Sequence, residues 1–398
     1  MIGHVVKMLW YNRRKYSGVL IEQVLIFIIL LVSMISLLEA ICKYREPGLI
    51  NTDNVMIFGY MLHGGGGGLG MSMEEQREVA CTMEFIADKL REKPFVESIT
   101  LSAGLAPYMR AERYYADMYA DTVRTDDGKA VEVIRKFVDN EAQKVFDLKL
   151  EEGIWLAEGT LEDGSYPTIL SRQLVDKLGW ENAIGRKLYM GCTFTVVGVI
   201  AGVRQSVFMD NPVAMLIPTA VWRQLGYAEY CAKIKPGYED EFHFYYSKEF
   251  KRTGLVENSV QICYSMDELK KGSMLDTISS VSMQAIPTVF LLLFAFIGTF
   301  GLFWLNSKKR KVEFALRVVV GATRNRLVSL VVLESLILSV MAALPGILLF
   351  CFVYEWTAVH VMAVGITFVI MVLFSVFSAW WPAYQVSKVN PVEAMRDE

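Results

Sequence analysis

Between residues 308 and 334 the chain reads KKRKVEFALRVVVGATRNRLVSLVVLE, and its polar side chains are of the kinds that pair, dock and anchor rather than those that break bonds. Seven cations, Lys308, Lys309, Arg310, Lys311, Arg317, Arg324 and Arg326, crowd into residues 308–326 with one acid among them, Glu313. Glu313 stands four residues ahead of Arg317, the favourable order for a helical ion pair, and Gly321 followed by Ala322 suits a helix C-terminus. A short amphipathic helix is therefore expected here. Glu334 lies about two turns inside the next apolar run, where a carboxylate is costly unless partnered. An ion pair with an arginine of the loop, snorkelling to the interface and a part in transmitting movement are all open for it.

Other candidate chemistry is weaker. The run HGGGGGLG at 63–70 lacks the GK[ST] ending of a phosphate-binding loop and reads as a flexible glycine-rich segment. His63 has no partner at metal-ligand spacing, and neither His63 nor His243 lies in a segment with the serine or cysteine motif of a nucleophilic triad. Cys42, Cys81, Cys192, Cys231, Cys263 and Cys351 are widely spaced without a CxxC pair, so neither a zinc site nor a disulfide scaffold is signalled. One or two disulfides in the outer region stay open, with free buried thiols the simpler reading. No catalytic residue, metal site or cofactor is expected.

The elements that position the basic stretch are apolar. The composition is 53% hydrophobic yet 21% charged, which points to a mixed architecture, neither wholly membrane nor wholly soluble. Residues 19–41, 282–305, 327–350 and 362–381 each supply about the 20 residues that a hydrocarbon core requires. The first is read as a retained anchor, because its apolar core exceeds that of a signal peptide and no small-x-small cleavage site precedes Cys42. Residues 1–18, with Lys7, Arg13, Arg14 and Lys15 beside apolar positions, read as an interfacial helix. By the positive-inside rule the cation-rich 306–326 loop and both termini are cytoplasmic. The link 351–361, without lysine or arginine, and the region 42–281 then lie outside. Because bases gather beside the apolar runs and acids spread through the middle, nucleic acid is not an expected partner.

The outer region reads as α+β halves at about 43–148 and 226–272 around a β-rich middle at about 149–225. Strands are expected at 55–61, 95–101, 131–138, 152–159, 194–200, 213–219, 228–235 and 259–265. Helices are expected at 72–93, with Ser72 and Glu75 as a capping box, at 168–178 and at 237–250. Residues 273–285 read as a helical stalk leading into the second span, with Pro287 in that span's first turn. The fold class is thus an α-helical membrane protein of four spans, one plus three, with a large extracytoplasmic α+β region inserted between the first and second.

These motifs resemble a known family. KVEFALRVVVGATRNRLVSLVVLES is similar to the loop signature of FtsX-like permeases, carried here by Glu313, Arg317, Gly321, Ala322 and Glu334. The tail WPAYQVSKVNPVEAMRDE at 381–398 is similar to that family's closing pattern, with Pro382, Ala383, Pro391, Val392, Glu393 and Ala394 in matching places. ILSRQLVDKLGWENAIGRKL followed by FTVVGVIAG resembles the periplasmic core domain of MacB-like exporters. The chain departs from the pattern at Val318, Val319 and Val320, where basic or small residues are usual, and at Tyr384 and Gln385, where a basic pair is usual.

The resemblance implies a type VII ABC permease of the bacterial inner membrane. In such a machine a separate ATPase subunit docks on the loop, here through Glu313, Arg317, Gly321, Ala322, Arg324 and Arg326. A second permease chain, identical or a paralogue, completes a dimer, and ATP-driven motion passes to the outer domain for export of a drug, peptide or lipoprotein. A periplasmic adaptor and an outer-membrane channel are further partners of the tripartite kind. The alternative is a membrane-anchored regulator or sensor that controls a cell-wall hydrolase or signalling partner without transport.

Overall fold

The computed structural model describes residues 11, 13–62, 73–108, 119–157, 159–221, 228–254 and 259–387. The glycine run, Ser72 of the expected capping box, most of the first eighteen residues' reading (1–10 and 12) and the tail from 388 lie outside them. Two compact units emerge, one of residues 43–277 and one of 1–42 with 278–398. The first helix, α1 (Arg13–Arg45), is apolar over a stretch long enough to span and extends beyond the expected 19–41 at both ends. Lys43 and Arg45 occupy its last turn, where cations suit the helix dipole, and Pro47 soon follows.

In chain order the outer unit contains β1 (Val55–Leu62), α2 (Met73–Arg91), β2 (Val96–Ser102), β3 (Ala120–Thr125), β4 (Ala130–Val138), α3 (Ala142–Val145) and β5 (Leu150–Gly153). It continues with β6 (Tyr166–Ser171), α4 (Arg172–Leu178), β7 (Lys187–Met190), β8 (Cys192–Ile200), β9 (Ala214–Pro218), β10 (Glu229–Ile234), α5 (Glu239–Arg252) and β11 (Ser259–Ser265). One sheet has the order β11-β1-β10-β2, all antiparallel. Strand alternation sends Met56 and Phe58 to one face, under α2 and α5, and Val55 and Ile57 to the other. Phe58 meets Phe242 and Tyr246 of α5 edge to face at 5.5 and 5.3 Å, and the Tyr246 hydroxyl donates to the Gly59 carbonyl.

The second sheet runs β5-β8-β6-β9-β4-β3-β7, and β7 also pairs with β8, so the strand order returns on itself. Closure of this kind leaves β5, paired with β8 alone, as an edge strand and encloses a core that includes Val123, Val133, Leu170, Phe194 and Met215.

Three expectations need correction here. The halves at 43–148 and 226–272 are not separate, because β1 and β2 interleave with β10 and β11 in one sheet while β3 and β4 join the strands of the middle. Partner choice between distant strands is a packing outcome that local periodicity does not carry. The expected helix at 168–178 begins as strand β6, which is buried throughout most of its length, and only then becomes α4. A continuously apolar strand looks like a buried helix by periodicity alone. Ser171 marks the switch: its hydroxyl accepts the Leu174 amide at 3.4 Å and the Ala214 amide at 2.9 Å. The strand expected at 152–159 ends at Gly153.

The membrane unit is completed by α6 (Met266–Lys309), whose residues to Thr277 still belong to the outer unit, α7 (Lys311–Val319), α8 (Arg324–Val353) and α9 (Ala358–Ser387). With α1, three of these are long and apolar enough to cross a membrane: α6, α8 and α9. Stalk and second span form one helix of 44 residues, which places Pro287 in its interior rather than in a first turn. Helices α8 and α9 meet through small residues, among them Ser335, Ser339, Ala342 and Ser375, which allow close approach. The Ser335 hydroxyl donates to the Ser375 carbonyl at 2.9 Å, and Ser339 bonds the Ser375 hydroxyl. Gly346 lies so near Phe27 of α1 that a Cβ there would strike the ring. The tail expected from 382 is still helical to Ser387, because Pro382, Ala383 and Val386 are buried and hold the helix in place.

Candidate functional site

The basic stretch folds as two helical ends and a short helix. Helix α6 stops at Lys309, Arg310 occupies the N-cap position of α7, and the Phe314 amide bonds the Arg310 carbonyl at 2.9 Å. The Arg310 guanidinium reaches Glu334 of α8, with Nη1 donating to both carboxylate oxygens at 2.9 and 3.2 Å. Glu334 is 1% exposed. Of the readings open for this acid, the geometry bears out the ion pair with an arginine of the loop. Arg310 also lies over the Phe314 ring at 5.3 Å, a cation–π contact that sits in a core of Tyr16, Phe303, Leu327 and Val331.

Helix α7 is amphipathic in a particular sense. Phe314 and Ala315 are buried, whereas Leu316, Val319 and Val320 are exposed. Its end is a Schellman motif. The Ala322 amide bonds the Arg317 carbonyl at 2.8 Å, and the Gly321 amide bonds the Val318 carbonyl at 3.0 Å. Gly321 has φ +99°, a conformation that side chains with a Cβ rarely adopt, which is the physical need behind the Gly-Ala pair. Thr323 is extended and starts α8, and Arg324 is exposed in that helix's first turn.

Four of the sequence-predicted residues come together. Arg317, Gly321, Ala322 and Arg326, with Leu316 and Val320, line a shallow depression of about 430 Å³. Arg324 lies outside it, and the expected pairing of Glu313 with Arg317 falls on a side chain outside the described residues. A depression with an apolar rim and two arginines can seat a protein surface that offers aliphatic and acidic groups. Among the described residues no three His, Cys, Asp or Glu side chains cluster as metal ligands.

Other polar sites escaped the sequence reading. In the membrane unit His360 bonds Glu39 of α1 through Nε2 at 2.8 Å and the Glu355 carbonyl through Nδ1 at 2.8 Å. In the outer unit the Glu229 carboxylate accepts the amides of Gly104, Leu105 and Ala106 at 3.1, 3.1 and 2.9 Å, while Lys136 donates to the Gly104 carbonyl at 2.5 Å. Burial pushes the Glu229 carboxyl up and the Lys136 amine down, and the attraction between the two opposes both shifts. This pair binds a loop. Its acceptors and donors are turned to the protein's own backbone, the arrangement of a structural network rather than an acid–base site. All six cysteines are free. Cys231 and Cys263 contribute to the cores on opposite faces of their sheet.

Among the described residues, four helices long and apolar enough to cross a membrane, with an α+β unit between the first and second, make this a multi-pass membrane protein of the permease class. Residues 24–241 match the MacB-like periplasmic core domain family and residues 286–391 the FtsX-like permease C-terminal family. The first match alone spans more than half of the chain, and the protein belongs to the MacB/FtsX-like family of ABC transporter permeases, multi-pass proteins of the inner membrane.

Among solved structures it is similar to the periplasmic region of MacB from Actinobacillus actinomycetemcomitans, at 15% identity and TM-score 0.38 over 56% of this chain and 93% of that one. It is also similar to the extracellular domain of the noncanonic ABC-type transporter YknZ from Gram-positive bacteria, at 14% identity and TM-score 0.35 over 52% of this chain and 100% of that one. Comparison with curated proteins gave no match.

Proposed function

We propose that the protein is a non-catalytic subunit that couples ATP hydrolysis by a separate ATPase chain to movement of its outer unit. The observation that carries this reading is α7. Its exposed Leu316, Val319 and Val320 stand beside Arg317 and Arg326, and its two ends are fixed by the Arg310–Glu334 pair and the Gly321 turn. A docking helix needs an accessible apolar edge for affinity, charges for orientation, and rigid ends so that displacement is not lost in bending.

By the positive-inside rule the helix faces the cytoplasm, together with both termini, and residues 42–281 lie on the far side. A motor that closes ATP between two ATPase subunits offers two docking positions, so the working unit is a permease dimer, with export of a drug, peptide or lipoprotein as its output. Glu334, Ser335, Ser339 and Ser375, deep in the spans, are engaged with the protein itself, which supports transmission of movement rather than conduction through a polar pore, while Gln23 and Thr367 are buried there without a hydrogen-bond partner among the described residues.

The test is reconstitution with the ATPase that copurifies. The isolated chain should hydrolyse no ATP, the complex should contain two copies of each fold, and Arg317→Glu should lower ATPase stimulation at equal membrane abundance. Unchanged stimulation in Arg317→Glu would count against docking at α7.

A further inference from the structure

Among the described residues Arg204, in the loop from β8 to β9, is the largest fully buried side chain, and its hydrogen bonds go to no carboxylate. Its two terminal nitrogens are spent on carbonyls, and Nε is buried without a hydrogen-bond partner. Nη1 donates to Lys43 at 2.6 Å and to Val207 at 3.0 Å, and Nη2 donates to Glu46. Lys43 is in the last turn of α1 and Glu46 directly follows it, at a helix end whose last carbonyls lack intrahelical amide partners and carry partial negative charge. A planar fork of donors can satisfy several such groups at once, which an ammonium on a flexible stem cannot.

The rest of the loop repeats the pattern. The Arg204 amide bonds the Gly48 carbonyl at 2.9 Å, and the Asn211 amide group donates to the Glu46 carboxylate and the Pro47 carbonyl, both at 2.9 Å. Gly48 and Gly202 lie so close to Asn211 that a Cβ on either would collide with it. Two residues on from Arg204, the Ser206 hydroxyl meets Ser273 at 2.9 Å, and Ser273 is in the second turn of α6. Between them, Gln205 holds the Gly104 carbonyl at 3.1 Å and so reaches the loop that Glu229 secures. One loop therefore grips the last turn of α1, the beginning of α6 and the sheet core, all within the outer unit.

We infer that residues 201–211 form a clamp that joins the exit of α1 and the entry of α6 into a single node, with Arg204 as the residue that positions it. The inference rests on the reading that movement passes along these helices. With the clamp intact a displacement of either helix end is delivered to the sheets, and without it the two ends move separately.

The experiment uses the full chain in lipid nanodiscs and amide hydrogen exchange. Arg204→Lys keeps a cation but loses the fork, and loss of a buried charge-assisted hydrogen bond should speed exchange over 43–50 by at least about tenfold while the β1 and β10 amides stay protected. If Arg204→Lys loses protection throughout the outer unit, Ser206→Ala takes over the test, with faster exchange expected over 266–277. Exchange over these segments that matches the unaltered protein would overturn the clamp. In the complex with the ATPase, Arg204→Lys should retain ATP hydrolysis and lose the nucleotide-dependent change in the outer unit. If the unaltered complex shows no such change, the coupling reading fails on its own, because the exchange measurement needs no nucleotide.

Discussion

Replacing Arg310 by Met takes from the Glu334 carboxylate, which is 1% exposed, the guanidinium that donates to both of its oxygens. Removal of one partner of a buried ion pair costs about 3–5 kcal/mol, because the remaining charge keeps its desolvation penalty without compensation. Arg310 is itself 18% exposed at the side chain, low enough that water cannot take its place. Replacing both partners, Arg310→Met with Glu334→Leu, removes the penalty together with the attraction and should cost about 1 kcal/mol or less. The loss of the contact with Phe314 adds about 0.5–1 kcal/mol to each variant that lacks the arginine. The assay is equilibrium unfolding of the purified full chain in mixed micelles, followed by tryptophan fluorescence, with the two single variants and the double variant arranged as a cycle. A coupling energy of at least about 2 kcal/mol is expected for a pair in direct contact. Single variants within about 0.5 kcal/mol of the parent, or a double variant as damaged as the two singles together, would refute the claim that this pair fixes the base of α7.

Three further outcomes are expected. In a cysteine-free background Gly128→Cys and Lys308→Cys, both at exposed positions, should label oppositely with an impermeant reagent applied to intact cells, and identical labelling would defeat the four-span topology. Gly321→Ala forces a Cβ into a backbone with φ +99°, a strain of about 1–2 kcal/mol, so amide exchange over 311–322 should rise roughly five- to thirtyfold. In the native protein maleimide at pH 8 should modify the exposed Cys81 and leave Cys231 and Cys263 unmodified until unfolding. Burial pushes the Cys263 thiol up to about 12 and Cys231 well above its ordinary value, so neither supplies thiolate at that pH.

The membrane helices were legible because about 20 apolar residues in a row have few other fates, and the Gly321 turn because only a residue without a Cβ suits that backbone. What the sequence hides is who pairs with whom. The interleaving of β1 and β2 with β10 and β11 depends on contacts across more than a hundred residues, and the strand character of Tyr166–Ser171 is concealed by burial on both faces. Pro287 and Pro382 read as helix boundaries, yet both lie inside helices whose neighbours hold them. Arg310 was one cation among seven until Glu334 came within 2.9 Å. Arg204 gave no signal at all, since an arginine in a loop is ordinarily a solvated charge.

The central claim is that α7 is where a separate ATPase docks, and Val320, 86% exposed at the lip of the depression, is the position from which to ask. Val320→Cys in an otherwise cysteine-free chain, treated in intact cells with a short thiol cross-linker, should join the permease to an ATP-hydrolysing protein, and Arg317→Glu should reduce the yield severalfold at equal membrane abundance. If Val320→Cys gives no adduct with an ATPase while a cysteine at Gly128, in the outer unit, does, the assignment of α7 as the coupling helix is contradicted.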